Sequence, residues 1–197
     1  MKVLKSVMFA AVMAIGLNSN ALVEATGAIV KSKAVELGVH RIERLVTLKK
    51  IDASFLTELS SLKIESTTEN AATYKVYGYL QTGVDGTALS LTIWMDAQGK
   101  TLNYVVNPGT KSSTPFIWPA KEAASLMEEG LHFVIEGWVK HPEVKVFYTG
   151  LSTIVMTPIK DAQGNLLAQF TVKSDDTAQI LTINLKADGT FVSYEVK

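Results

Sequence analysis

The sequence contains no cysteine, and this absence excludes several classes of protein. Without thiols the chain forms no disulfide and no thiolate metal site, and it offers no cysteine nucleophile. A bacterial lipoprotein needs a cysteine at its processing site, so we expect no lipid anchor of that kind. Stability must therefore come from a hydrophobic core, for which 197 residues are sufficient.

Runs of positive charge are also missing. Lys and Arg number 19 and are matched by 19 Asp and Glu, with both signs mixed along the chain. A surface that binds nucleic acid or anionic lipid needs a basic patch. We therefore expect no nucleic-acid partner.

Long apolar runs are confined to the start of the chain. The run Val7–Leu17 has eleven residues, whereas a helix needs about 20 to cross a bilayer. It follows Lys2 and Lys5 and precedes Ser19-Asn20-Ala21, the pattern of a signal peptide and its cleavage site. We predict a signal peptide at residues 1–21 and a bacterial periplasmic or secreted protein without a membrane span; an uncleaved anchor is the alternative.

Motifs that carry common enzymatic chemistry are missing as well. The chain has no Gly-x-Ser-x-Gly elbow, no glycine-rich phosphate loop and no His-Glu-x-x-His pattern. Its Asp-Ala-Gln-Gly segments lack the alternating acidic ligands of a calcium loop. These absences favour a non-catalytic protein without a cofactor, although a Ser–His–Asp triad built from distant residues stays open.

An internal repeat organises the remaining sequence. Residues 87–106 (TALSLTIWMDAQGKTLNYVV) align without a gap with residues 177–196 (TAQILTINLKADGTFVSYEV), and nine of the twenty positions are identical. A second match, at a spacing of 92, places Glu36-Leu37-Gly38-Val39-His40 opposite Glu128-Glu129-Gly130-Leu131-His132. The change in spacing from 92 to 90 predicts that repeat 2 lacks two residues between the matched blocks, near the loop that occupies residues 67–73 in repeat 1.

The repeat and the composition between its copies define a domain organisation. We predict repeat 1 at residues 22–106 and repeat 2 at residues 119–197. Residues 107–118 (NPGTKSSTPFIW) contain the Pro, Gly and Ser typical of a linker.

Each repeat is predicted to be a helix followed by four strands. Apolar residues recur every three to five positions from Val30 and again after Pro119, which suits a first helical turn. Glu36 is assigned to the polar face of the first helix. Residues 89–95 alternate apolar and polar side chains, as a strand with one buried face does.

Short turns between the strands complete the fold prediction. Asp96–Gly99, Asp161–Gly164, Ala187–Gly189 and Val84-Asp85-Gly86 each offer a glycine for a tight hairpin, and Ser174–Asp176 is a further turn. The fold class is α+β: two tandem repeats, each a helix on a four-stranded antiparallel meander. The two sheets join either edge to edge or face to face.

One segment suggests a family resemblance. Thr92–Leu102 (TIWMDAQGKTL) combines a strand, an aspartate, a glycine turn and a second strand; Lys186 replaces the aspartate in repeat 2. With the duplicated helix-plus-meander, this resembles the PepSY-like and beta-lactamase-inhibitor-like periplasmic domains. The resemblance implies an inhibitory or scaffolding role, and cystatin-like folds share the element order.

Aromatic residues provide the first candidate site. Trp94, Tyr77 and Tyr79 fall on strand faces opposite the expected core residues. Exposed aromatic side chains on a sheet are typical anchors for a partner. The alternative is that the other repeat covers this face and buries them.

Two Glu–His pairs provide the second candidate. Glu36 with His40, and Glu128 with His132, are each spaced i, i+4 and so share one helical face. Brought together by a pseudo-twofold axis, they would form a metal or acid–base site. The alternative is an ordinary ion pair or a packed histidine.

These observations predict a non-catalytic exported binding protein, which contacts another envelope or extracellular protein through the aromatic sheet face. A small-molecule or lipid carrier, with a pocket between helix and sheet, is the first alternative. A metal or acid–base protein that uses the Glu–His pairs is the second.

Overall fold

The computed structural model describes residues 27–81 and 88–197. The predicted signal peptide and the turn at Val84-Asp85-Gly86 lie outside the described residues. In chain order the elements are α1 (Lys31–Thr47), α2 (Ser54–Thr57), β1 (Leu59–Ser66), β2 (Tyr74–Leu80), β3 (Ser90–Met95), β4 (Thr101–Asn107), α3 (Ala123–Gly137), α4 (Lys145–Gly150), β5 (Leu151–Lys160), β6 (Leu166–Ser174), β7 (Thr177–Lys186) and β8 (Phe191–Val196). Two short 3₁₀ helices lie at Glu69–Ala71 and Pro142–Val144.

The strands form one eight-stranded sheet in the order β4-β3-β2-β1-β5-β6-β7-β8. All neighbouring strands are antiparallel, which confirms the α+β class. The centre of the sheet is the β1–β5 contact, where Leu62 lies opposite Ile154. The strands of the two halves therefore join edge to edge, and the face-to-face alternative is wrong.

The helices lie on one face of this sheet and bury its apolar side chains. A Cβ atom on Gly38 of α1 would lie 2.9 Å from Val76, and one on Gly130 of α3 would lie 2.8 Å from the ring of Phe170. Such close approach explains why glycine stands at both helix positions. Val76 and Phe170 belong to one continuous core that also includes residues from both long helices.

The helix boundaries differ from the sequence prediction. Pro119 lies outside α3, because Glu122 still has extended backbone angles (φ −65°, ψ 150°) and the helix begins at Ala123. The short helices α2 and α4 were not predicted. Each contains a fully buried phenylalanine, Phe55 and Phe147, but both are too brief to show helical periodicity in the sequence.

Strand registers correct the position of the predicted deletion. Ile64 pairs with Val76 and Met156 with Phe170, so the chain between these paired residues is two residues longer in the β5–β6 hairpin than in the β1–β2 hairpin. Val76 and Phe170 then pair with Ile93 and Ile183, so by the same measure the β6–β7 hairpin is four residues shorter than the β2–β3 hairpin. The deletion near residues 67–73 is therefore wrong: the shortening lies at the next hairpin.

The hairpin glycines behave as expected from the sequence. Gly99, Gly164 and Gly189 have φ values of 79°, 84° and 90°, in the left-handed region that favours glycine. Each follows a two-residue turn that reverses the chain between neighbouring strands. These three turn predictions are confirmed.

Residues 107–118 pack against the first half of the chain. Asn107 is the last residue of β4, and Trp118 is only 6% exposed. The amide side chain of Gln81 donates to the carbonyl oxygen of Phe116 (2.8 Å) and accepts from its N–H (2.7 Å).

Of the helices in the described ranges, none has both the length and the apolar character needed to cross a bilayer.

Candidate functional site

The three aromatic residues chosen from the sequence lie together on the sheet face opposite the helices. Along β2, Tyr77 and Tyr79 alternate with the buried residues Val76, Gly78 and Leu80, and both tyrosines are half-buried. Their rings stack with centroids 6.2 Å apart and planes inclined by 16°. Two tyrosines on one face of one strand therefore form a flat aromatic surface.

Trp94 extends this surface through a shared lysine. Trp94 pairs with Lys75 across β2 and β3 and is itself half-buried. The Lys75 ammonium lies 5.5 Å from the Trp94 ring centroid and 5.9 Å from that of Tyr77, within the range of cation–π attraction. We call Tyr77, Tyr79 and Trp94 the aromatic face.

Charged side chains hold the aromatic face in position. Glu65 accepts a hydrogen bond from the Tyr77 hydroxyl (3.0 Å) and pairs with Lys63 (2.5 Å). Glu69 pairs with Lys75 (2.8 Å). Hydrogen bonds from Lys63 and Tyr77 lower the pKa of Glu65, so its carboxylate stays ionised at neutral pH.

The pKa of Tyr77 is shifted in the opposite direction. Partial burial, and then the hydrogen bond to Glu65, raise the pKa of the Tyr77 phenol, so Tyr77 stays neutral. The aromatic face thus presents neutral rings edged by fixed charges of both signs.

The second candidate, the two Glu–His pairs, is brought together at the contact between α1 and α3. His40 Nε2 lies 2.8 Å from Glu128 Oε1, and His132 Nε2 lies 3.3 Å from Glu36 Oε1. His132 Nε2 also lies 3.7 Å from Glu128 Oε1, on its own helix. Each histidine thus meets the glutamate of the other helix, which requires the two helices to be antiparallel.

Glu36 is more enclosed than the sequence indicated. It was assigned to the polar face of the first helix, but its side chain is only 10% exposed and lies between the helices. Lys33 donates to its other oxygen, Oε2, at 2.8 Å. The assignment is wrong because α3 packs over this side of α1, and partners on both helices satisfy the carboxylate.

The two predicted Glu–His pairs come together, and their shorter contacts run across the two helices; within one helix, His132 lies 3.7 Å from Glu128. In the described part of the chain no group of three or more His, Asp or Glu side chains is arranged to hold a metal ion. The cluster crosses the helix contact, where its cross-helix bonds set the pairing of α1 with α3.

Sequence reasoning missed a groove between α3 and the β7–β8 hairpin. Its cavity volume is about 610 Å³, and its apolar walls include Phe133, Leu185 and Phe191. Its polar lining consists of Glu129, His132, Glu136, Lys140 and His141. A volume of this size falls within the roughly 300–1,000 Å³ of small-molecule pockets.

Aromatic rings cluster at one end of the groove. Phe133 stacks on Phe191 (centroids 5.1 Å apart, planes at 7°) and contacts the Tyr194 ring at 5.1 Å. The His141 ring lies 4.7 Å from that of Tyr194. We call Phe133, His141, Phe191 and Tyr194 the ring cluster.

Hydrogen bonds fix the orientation of Tyr194. Its hydroxyl donates to Glu143 Oε1 (2.6 Å) and lies 2.9 Å from His141 Nδ1. Because the phenol has one proton to donate, His141 must carry its hydrogen on Nδ1 to complete this network. The bond from Tyr194 lowers the pKa of Glu143, which keeps this carboxylate ionised.

The sequence signal for the groove was a difference between the aligned segments. At the spacing of 92, Phe133 aligns with Arg41 and Gly137 aligns with Leu45. A comparison that counts identical positions alone conceals such differences.

The fold is that of an α+β protein whose described helices pack on one eight-stranded antiparallel sheet. No protein-family model matches the chain, and no curated protein or solved structure is detectably similar to it. The resemblance to PepSY-like domains therefore stays a prediction.

Proposed function

We propose that this chain is a non-catalytic exported binding protein that docks a protein partner on the aromatic face. The observation that carries the proposal is that the helices pack on one side of the sheet, while Tyr77, Tyr79 and Trp94 lie half-exposed on the other. Stacked rings held by ion pairs lose little conformational entropy on binding, which makes them suitable anchors.

The proposal includes a duplication of one helix-and-meander unit. The β1–β2 register shifts between Leu59 and Ser61. The β5–β6 register shifts between Leu151 and Thr153, the residues that follow those two at a spacing of 92. A second matched pair of shifts occurs between Trp94 and Met95 and between Asn184 and Leu185. Irregularities of this kind are conserved features of related sheets, so their repetition supports a common origin.

Under this duplication, the aromatic residues differ from their counterparts in the second half. Trp94 pairs with Lys75, whereas Asn184 pairs with Gln169 at the matching position, and the two amides bond to each other (3.1 Å). Thr171 matches Tyr77 in the same way, since it pairs with Val155 as Tyr77 pairs with Lys63.

The sheet forms with polar side chains at these positions, so its stability does not require aromatic ones. Their presence in one half alone is what a dedicated contact surface would produce. The proposed partner is another envelope or extracellular protein, met after cleavage of the predicted signal peptide.

Site-specific photo-crosslinking tests the proposal. A benzoylphenylalanine placed at Tyr79, in the cells from which the chain comes, should yield one dominant adduct. The same group at Leu48, which is 54% exposed in the first half, serves as the control and should not yield that adduct.

A matched pair of tryptophan variants completes the design. Trp94→Ala should abolish the Tyr79 adduct with little change in melting temperature, because the side chain is half-exposed. Trp138→Ala, which removes a tryptophan stacked on Tyr148 next to α3, should leave the adduct intact. Equal adducts from Tyr79 and Leu48, or an adduct that survives Trp94→Ala, would contradict the proposal.

A further inference from the structure

In the first half, the chain fills the space between its long helix and the last hairpin with its own side chains. The Arg41 guanidinium lies over the Tyr104 ring, 5.7 Å from its centroid. The hairpin at Gly99 approaches the apolar side chains of Leu37 and Ile29, which a Cβ on that glycine would meet at 2.4 and 2.7 Å. An internal cation and two apolar side chains thus occupy this site.

The second half has the same backbone arrangement but different side chains. Tyr194 pairs with Ile183 as Tyr104 pairs with Ile93, so the two tyrosines hold equivalent positions. At Gly189, which corresponds to Gly99, the nearest side chains are Lys121 and Glu129, and these pair with each other at 2.5 Å.

Phe133 takes the place of Arg41 and contributes a ring where the first half has a cation. Gly137, in place of Leu45, removes a side chain from the groove. The outcome is an aromatic groove in which the rings of Phe133 and His141, in place of a guanidinium, lie beside the tyrosine ring.

The charges around the ring cluster are mostly negative. Glu136 lines the groove and Glu143 bonds to Tyr194, whereas Lys140 is the cation among the lining residues. The carboxylate of Glu129 is already balanced by Lys121. Aromatic faces with nearby carboxylates are the features that recognise ammonium and guanidinium groups.

We propose that this groove binds a small organic cation, with its charged group against the ring cluster and its charge balanced by Glu136 and Glu143. Arg41 on Tyr104 is the internal counterpart of that contact. The volume of about 610 Å³ suits a free small molecule with an apolar body as well as a charged group. The proposal takes up the small-molecule alternative and is independent of the aromatic face.

Isothermal titration calorimetry of the full chain after signal removal provides the test. The probes are benzyltrimethylammonium, the neutral benzyl alcohol and the anionic phenylacetate, each in 0.15 M and in about 0.5 M salt. The cation should bind about tenfold more tightly than either other probe, and more weakly at the higher salt concentration.

Variants locate the binding site. Phe133→Arg reproduces the first half and should reduce binding of benzyltrimethylammonium at least about tenfold, because an internal cation would occupy the cluster. Tyr194→Leu should do the same, and Glu136→Gln should weaken binding several-fold. The matched control is Tyr104→Leu, which changes the equivalent tyrosine in the first half and should leave the affinity unchanged.

Three results would overturn the proposal: no heat of binding with the cation, equal affinity for the neutral or anionic probe, or undiminished affinity in Phe133→Arg. A melting curve of each variant shows whether the variant is folded, and so whether weaker binding comes from loss of the binding site or from unfolding. Because Phe133 is partly exposed and Arg41 is tolerated at the matching position, Phe133→Arg is expected to fold.

Discussion

Gly38 of α1 lies so close to Val76 of β2 that a Cβ atom on the glycine would be 2.9 Å from Val76 Cγ1. Gly130 of α3 has the same relationship to the ring of Phe170, at 2.8 Å. The absence of a side chain at these two positions sets the distance between the long helices and the sheet. Two glycines therefore determine how closely the two layers of the protein pack.

Gly38→Ala and Gly130→Ala should each destabilise the protein. Alanine normally stabilises a helix by about 1 kcal/mol relative to glycine, but the added methyl group would overpack the core at a cost of roughly 1–3 kcal/mol. We expect urea denaturation to show a net loss for both variants.

Gly137→Ala is the matched control, because its Cβ would meet Phe133 at an ordinary 3.6 Å. It should lose no stability. If Gly38→Ala proved as stable as Gly137→Ala, the close contact inferred between helix and sheet would be wrong.

The two cross-helix Glu–His contacts should differ in their contribution to stability. His132→Ala removes a partner from Glu36, whose side chain is 10% exposed, and should cost about 1–3 kcal/mol. His40→Ala breaks a pair whose side chains are 47% and 26% exposed and should cost about 1 kcal/mol or less. Denaturation at pH 7 measures both values, and a larger loss for His40→Ala would contradict the assignment of Glu36 as the enclosed member.

The hairpin glycines offer a second matched comparison. Gly99 and Gly164 have nearly the same positive φ, so alanine at either position should cost about 1 kcal/mol in backbone strain. At Gly99 the new methyl group would also meet Leu37 and Ile29, whereas at Gly164 no atom lies within 4 Å. The melting temperature should therefore fall further for Gly99→Ala, and equal losses would show that the β3–β4 hairpin does not pack on Leu37 and Ile29 as described.

Asp52 should make stability depend on acid pH. Hydrogen bonds from the Ser54 hydroxyl and backbone N–H, and then from Lys111, lower the pKa of the Asp52 carboxyl. A group whose pKa is lower in the folded state stabilises the protein above its unfolded value of about 3.9, and this contribution disappears as the pH falls below that value.

Asp52→Asn should therefore cost up to about 1 kcal/mol at pH 7, since the side chain is 57% exposed and the pairing is screened by water. The difference between the parent chain and the variant should shrink between pH 4 and pH 2. Denaturation curves across that range measure it, and a difference independent of pH would exclude an ionised Asp52 as its source.

Much of the fold could be predicted because strand periodicity is a local property. The alternation in residues 89–95 predicted a strand, and β3 is one, but Ser90 and Thr92 on its predicted polar face are buried as well. Clean alternation of buried and half-buried residues occurs in β2. The sequence also raised the possibility that the two Glu–His pairs come together, and the His40–Glu128 contact joins them.

Other features could not be predicted, because they depend on residues distant in the chain. Glu36 is enclosed only because α3 lies over it, and its neighbours in the sequence contain no sign of that contact. The groove forms where α3 meets the β7–β8 hairpin, and Phe133 and Phe191 reach each other only in the folded chain.

The amino-acid sequence by itself determined the antiparallel strands and the glycine turns, because each depends on backbone preferences within a few residues. Tertiary structure decided that the strands join edge to edge through Leu62 and Ile154. It also decided that the site beside α1 is filled while the site beside α3 stays open. Both outcomes depend on which surfaces meet when distant segments bury apolar area together, and that choice is made by the whole chain.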